Sequence, residues 1–386
     1  MSSNMLHIHK VIFPYGVGTQ VGGEKLVIFF GADFYNFPKG SDIPLFVEKT
    51  NHMLRYIERN FPGCRYLYQP HPNETDEYTH IELGEFNVGE KTIADVLMWK
   101  EFGRIEGVFA ACSWAAATAY SMGLRAGVFL DQLSGAVPDD ALMGWRSYFE
   151  GFPDSFFIRS LDSPVPSAVS LDPNRERESF EKIVAALGDA KTVWCMAADP
   201  AYGIRASMLA RNIKQVCGKN VKFGLLKIRH PRWDVVAGAR FLSEFDTIVS
   251  VPFQWYTARL SMVPSLLRNI LELRRLPITR DDAFISFSHM QFSENAVLSW
   301  YPGKKILMTE SRWYSFTYER EGKTVSSDGY RRSLGVRFFN YVLEPLLRLH
   351  GTDFREYKDG KVLNFFRYKD PLDRVYDSVF VFIPPV

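Results

Sequence analysis

Lys25-Leu26-Val27-Ile28-Phe29-Phe30-Gly31-Ala32-Asp33 is the stretch from which the fold is read. Lys25 to Phe30 is a nearly continuous apolar run, as expected for a strand buried on both faces. Gly31-Ala32-Asp33 ends it. Ile43 to Asn60 then reads as a helix, with Leu45, Phe46, Met53, Leu54 and Ile57 turned inward at amphipathic spacing. A doubly buried strand followed by such a helix is the repeating unit of a parallel α/β sheet. Working outward, the pattern predicts a strand over Arg65 to Gln69 and a helix over Thr92 to Glu101. It then predicts a strand over Gly107 to Ala111, a helix over Trp114 to Met122 closed by Gly123, and a strand over Ala126 to Leu130.

From residue 131 to about 187 the character changes. Pro138, Pro153, Pro164, Pro166 and Pro173 break the chain, and a helix is predicted only over Arg175 to Leu187. Alternation resumes at Lys191. Strands are predicted over Thr192 to Ala197, Val221 to Ile228, Asp246 to Val251, Ala283 to Phe287 and Lys305 to Thr309. Helices are predicted over Arg205 to Val216 and Pro264 to Arg274. A long helix over Arg332 to Leu349 is expected to kink at Pro345. Ser378 to Pro385 reads as a strand or as a linker docking back on the first domain. The domain reading is therefore 1–150 and 191–386, two α/β domains, joined by 151–190.

The composition suits an ordinary globular protein: 386 residues, 46% hydrophobic, 23% charged and a net charge of +2. So small a net charge gives no general drive towards nucleic acid, and pairs such as Arg274-Arg275 read first as solvated faces. No signal peptide or membrane-length apolar run is visible, so a cytoplasmic protein is expected. The four cysteines, Cys64, Cys112, Cys195 and Cys217, form no CxxC pair and read as buried thiols. No metal site is expected. Asp281-Asp282 lacks a third ligand and reads as a turn, and Gly16 to Gly23 lacks the phosphate-loop pattern.

Two segments carry candidate chemistry. In Tyr68-Gln69-Pro70-His71-Pro72-Asn73-Glu74 the prolines fix the backbone around His71 at a strand's carboxyl edge, where open α/β sheets bind ligands. A fixed imidazole there can donate to a phosphate oxygen or to a leaving group gaining charge. The plain alternative is a stiff turn. In Cys112-Ser113-Trp114 a strand runs into a small-residue helix containing Thr118. The first amides of that helix and the positive end of its dipole suit an anion, while a Ser N-cap alone would serve packing. Carboxylates for acid–base or nucleophilic work are Glu310, Asp199 and Asp234, each following a predicted strand; the plain alternative for each is a cap or a solvated loop. His230-Pro231, between Arg229 and Arg232, is either a carboxylate-binding pair or, more simply, a turn.

With these residues in view, Lys25 to Leu130 resembles the donor-binding domain of bacterial sialyltransferases and of related Kdo-type transferases of capsule and lipopolysaccharide synthesis. In that family a His-Pro pair, matched by His71 and Pro72, binds the CMP-sugar phosphate. A Ser/Thr helix start, matched by Ser113, completes the contact; the second hydroxyl of the family's pair is replaced by Trp114 unless Thr118 supplies it. Gln69 and Trp114 fall within the same donor-binding segments. The resemblance implies a GT-B-like fold, two Rossmann-like domains facing a cleft, with domain order exchanged as by circular permutation. Phe284 to Ser288, Phe292 to Asn295 and Lys304 to Glu310 then match the acceptor domain. The family's acidic pair and glycine are reduced there to Glu310 in Thr309-Glu310-Ser311-Arg312. The activity implied by the resemblance is transfer of an acidic keto-sugar from a CMP-sugar co-substrate to a glycan or glycolipid acceptor. It implies no metal, no other cofactor, and a place at the inner membrane face. A UDP- or GDP-sugar transferase, a polyol-phosphate transferase with similar His and Ser elements, and a non-catalytic glycan-binding scaffold are the other readings.

Overall fold

The computed structural model describes residues 5–9, 23–33, 37–71, 80–147, 149–168, 173–216, 221–236, 240–254, 260–287, 292–310, 338, 342–349, 351–358, 361–368 and 375–383. The chain divides into two compact units. An N-terminal unit spans Ile12–Pro173 with Pro384–Val386, and a C-terminal unit joins Met1–Val11 to Asn174–Ile383. Each carries one parallel sheet.

The first strand, β1 (Met5–His9), belongs to the C-terminal unit. The N-terminal unit then runs β2 (Leu26–Phe30), α1 (Ile43–Asn60), β3 (Arg65–Gln69), β4 (Phe86–Val88), α2 (Ala94–Glu101), β5 (Ile105–Ala110), α3 (Trp114–Ser121), β6 (Ala126–Val128) and α4 (Asp139–Ser147). Its strands lie in the order β4-β3-β2-β5-β6, all parallel. Every residue of β2 is buried, as its central place requires. Asp42 caps α1 by accepting the Leu45 amide at 3.0 Å, and the helix buries Phe46, Met53, Leu54, Tyr56 and Ile57. Aromatic rings fill this core: Phe29 stacks on Tyr68 at 5.9 Å, and Tyr56 meets Phe129 edge-on at 5.5 Å. Each such ring contributes about 2–3 kcal/mol when buried, so these aromatics serve the core rather than a sugar platform.

The stretch after α4 packs into the same unit. Phe149, Phe156 and Ile158 are buried there, and Ile158 donates its amide to the Val128 carbonyl at 2.9 Å.

The C-terminal unit contains α5 (Pro173–Leu187), β7 (Thr192–Ala197), α6 (Pro200–Val216), β8 (Lys222–Ile228), β9 (Thr247–Val251), α7 (Val263–Leu273), β10 (Ala283–Ser286), α8 (Phe292–Trp300), β11 (Lys304–Glu310), α9 (Glu344–Leu347), β12 (Gly351–Lys358), β13 (Lys361–Tyr368) and β14 (Ser378–Ile383). Seven parallel strands lie in the order β1-β14-β11-β10-β7-β8-β9, while β12 and β13 form a separate antiparallel hairpin. Leaving β1 aside and numbering strands as the chain meets them, the N-terminal sheet has the order 3-2-1-4-5 and the C-terminal sheet 3-2-1-4-5-6. That is the doubly wound Rossmann arrangement. The molecule is an α/β protein with two Rossmann-like sheets.

Several expectations change. The predicted helix over Arg332 to Leu349 falls mostly outside the described residues. Within them residue 338 is helical, and 342–343 form a π turn that runs into the single α turn α9, after which Arg348 takes a positive φ of 54°. Pro345 has no amide to donate to an upstream carbonyl, and the helical path just before it is a π turn rather than regular α-helix. The tail over Ser378 to Ile383 is a strand, and its neighbours are β1 and β11 of the C-terminal unit. Of the described cysteines only Cys195 is fully buried; Cys64 and Cys112 are half-buried.

Candidate functional site

A doubly wound sheet opens at its switch point, where successive connections leave in opposite directions beyond the carboxyl ends of two adjacent strands. In the N-terminal unit those strands are β2 and β5. Beyond β2 comes Asp33; beyond β5 come Cys112 and Ser113; beyond the adjacent β3 comes His71. The structure brings these residues together. His71 Nδ1 lies 3.8 Å from Asp33 Oδ1, with both side chains about two-thirds buried. That separation exceeds a hydrogen bond and makes an ion pair when the imidazole is protonated. Burial, reinforced by the Asp33 carboxylate, pushes the Cys112 thiol up to about 12, so it stays a neutral thiol.

Ser113 is the N-cap of α3, its Oγ accepting the Ala115 amide at a long 3.3 Å. Ala115, Ala116, Ala117 and Ala119 are buried, which lets this short helix lie close on the sheet with its positive end at the carboxyl edge. The packing and anion-binding readings of Ser113 are thus compatible. Trp114 stacks on Phe149 at 5.7 Å and meets Phe152 edge-on at 6.0 Å, anchoring the helix start in an aromatic cluster. Thr118 is buried one turn further along α3. Gln69 is also buried, and its Nε2 donates to the Glu90 carbonyl at 2.7 Å, tying the end of β3 to the segment after β4. Pro72 lies outside the described residues.

The switch point of the C-terminal unit lies between β7 and β10. Asp199 follows β7 and caps α6, its Oδ1 accepting the amides of Ala201 at 2.9 Å and Tyr202 at 3.4 Å. The Tyr202 ring stacks on Phe287 at 6.4 Å, and the Arg205 guanidinium lies 5.6 Å from the Tyr202 ring centroid. Ser286, the last residue of β10, donates from Oγ to Glu294 Oε1 at 2.6 Å, and both residues are buried. Glu310 ends β11, with its backbone opposite Phe382 of β14; its side chain lies outside the described residues. Asp199 follows β7 and Glu310 ends β11, so both lie at the carboxyl end of this sheet.

Asp234 is exposed in the 3-10 turn Pro231–Val236 after β8, fixed there by its buried neighbour Trp233. Arg229 is committed to an ion pair with Glu272, and His230 meets Phe253 edge-on at 5.5 Å, in keeping with a turn. Asp281 pairs with Lys191 at 2.7 Å, and Asp282 accepts from the Thr279 amide and hydroxyl, so both serve the start of β10.

Sequence reasoning passed over Asp33 and Glu294. The signal for Asp33 was an acid three residues past the central strand. For Glu294 it was an acid in the first turn of a buried helix.

No family model matches the chain, and no curated protein matches it in sequence. Among solved structures, a substituted form of the wall teichoic acid polymerase TagF soaked with CDPG is 11% identical over 77% of this chain and 71% of its own, with a TM-score of 0.18. The S. aureus MnaA–UDP structure is 12% identical over 74% of this chain and 79% of its own, with a TM-score of 0.19. Overlap at this level leaves the reading of the site to the chain's own residues.

Proposed function

We propose that the protein is a nucleotide-sugar-dependent glycosyltransferase whose donor phosphate sits at the carboxyl edge of the N-terminal sheet. The observation that carries this reading is His71 facing Asp33 beside the start of α3, at the switch point between β2 and β5. Glycosyl transfer from a nucleotide sugar expels a phosphate that gains negative charge as the anomeric bond breaks. A protonated His71, oriented through Nδ1 by the Asp33 carboxylate, presents the opposite edge of its ring to that charge. The α3 terminus adds amide donors and dipole. Ser113 supports that terminus, while Gln69 and Trp114 hold the segments in place. On this reading the unit over Ile12–Pro173 binds the donor, and the unit that joins Met1–Val11 to Asn174–Ile383 carries the acceptor side.

The donor we propose is a CMP-linked acidic keto-sugar of the sialic acid or Kdo type, and the acceptor a glycan or glycolipid; both come from the sequence resemblance. A carboxylate at the other sheet's carboxyl edge would act on the acceptor hydroxyl or the anomeric carbon. Glu310 is the first candidate, because Asp199 already spends an oxygen on capping α6. Asp234 is third.

Titration calorimetry with CMP, CDP, UDP and GDP tests the reading. CMP is expected to bind, and His71→Ala to weaken it by roughly tenfold or more, the worth of a charge-assisted hydrogen bond. Binding of UDP without CMP removes the CMP-sugar donor and keeps the transferase. If no nucleotide binds, the glycan-binding scaffold takes its place.

A further inference from the structure

The amphipathic helix α7 turns Leu266, Asn269 and Leu273 into the core of the C-terminal unit. Its opposite side is not the polar surface such a helix ordinarily shows. Leu267 is 56% exposed and Leu271, one turn on, is 55% exposed. Around these two leucines stand Arg268, Arg274 and Arg275, all exposed, and Arg229 reaches the same helix through its pair with Glu272. Glu272 also lies 4.0 Å from Arg268, so one carboxylate is shared by two of the four arginines. Arg274 rests 5.0 Å from the Trp300 ring centroid, which holds it at the helix end.

We propose that this face of α7 docks on an anionic membrane surface, with the arginines at the headgroups and Leu267 and Leu271 entering the boundary with the acyl chains. An interfacial helix has this make-up: a short apolar ridge bordered by cations, and too few apolar residues to span. The charge selects the partner. Four guanidinium groups against one carboxylate complement a surface of acidic lipid, whereas two leucines alone bind a neutral bilayer weakly. Helix-dipole complementation accounts for Arg274 and Arg275 at the carboxyl end, but not for two exposed leucines one turn apart beside Arg268. The inference stands independently of the donor site, since α7 contributes no residue to it.

The test is co-sedimentation of the full chain with vesicles of phosphatidylcholine alone and of phosphatidylcholine mixed with phosphatidylglycerol. Binding is expected on the mixed vesicles only and should fall as salt screens it. Arg268→Glu with Arg275→Glu should weaken it about 25-fold or more, taking about fivefold for each arginine lost. Leu267→Ser with Leu271→Ser should weaken it while leaving the salt dependence in place. All four side chains are exposed, so circular dichroism should show both double variants folded. Equal binding to the two vesicle types overturns the proposal, as does binding that neither double variant alters. A dimer that dissociates in the leucine variant, without any vesicle binding, overturns it in favour of a second copy of the chain.

Discussion

His71 was legible as a rigid side chain at a strand end because its two prolines are sequence neighbours and act locally. Asp33 was not, because its approach to His71 depends on β2 and β3 lying side by side. Their pairing makes a specific prediction: Asp33→Asn should weaken nucleotide binding by up to about fivefold, the upper worth of a partly exposed pair. That is less than His71→Ala, since the imidazole itself remains, and calorimetry on both variants ranks them. Cys112 makes another. Its thiol is raised from an ordinary value of 9.0 to about 12 by burial and by the Asp33 charge. Between those values the unfolded thiol loses its proton and the folded one keeps it. Stability is therefore unaffected below the ordinary value and falls as pH climbs towards about 12, by at most about 1.4 kcal/mol per pH unit. Urea midpoints between about pH 9 and 11 should fall more steeply for wild type than for Cys112→Ala.

At the scale of elements, the strands written as unbroken apolar runs, β2 and β7, were found from sequence because burial on both faces leaves no room for polar residues. The three-residue β4, with one buried and two exposed positions, leaves too little pattern to read. In β12 and β13 polar residues are interspersed throughout, so no strong apolar run marks them. Val342 and Leu346 were expected to share one side of a long helix; they are 48% and 73% exposed around the short α9. Other facts about elements are invisible without register. Gly224 in β8 sits directly opposite Trp194 in β7, and a Cβ at that position would run into the indole ring. The glycine lets the buried ring lie flat over the neighbouring strand, a cross-strand pairing known to favour aromatic residues. Gly224→Ala should therefore destabilise by about 1–3 kcal/mol, the cost of overpacking a filled core. Chemical denaturation, read by the near-ultraviolet signal of Trp194, would show it.

At the scale of the molecule, the N-terminal strand matters most. β1 pairs in parallel with β14 from Met5 opposite Val379 to His9 opposite Ile383, so the first residues complete the sheet of the unit that ends the chain. Val379, Phe380 and Val381 of β14 are buried. Deleting residues 1–11 should leave β14 as a bare apolar edge, a template for aggregation. The truncated chain is expected to precipitate at lower temperature than the intact one, and to be cut sooner within Asn174–Ile383 under limited proteolysis; equal behaviour would show that β1 adds nothing. Residue patterning by itself determined the α/β class, most of the buried strands and the placement of His71 and Ser113 at strand ends, because apolar periodicity and turn chemistry act over a few neighbouring residues. Only the tertiary structure decided the strand orders, the switch points, the meeting of His71 with Asp33 and of Ser286 with Glu294, and the pairing of β1 with β14. Except for Ser286 with Glu294, eight residues apart, these are contacts between residues far apart in the chain, and they depend on which strands pair, a choice that local pattern does not encode.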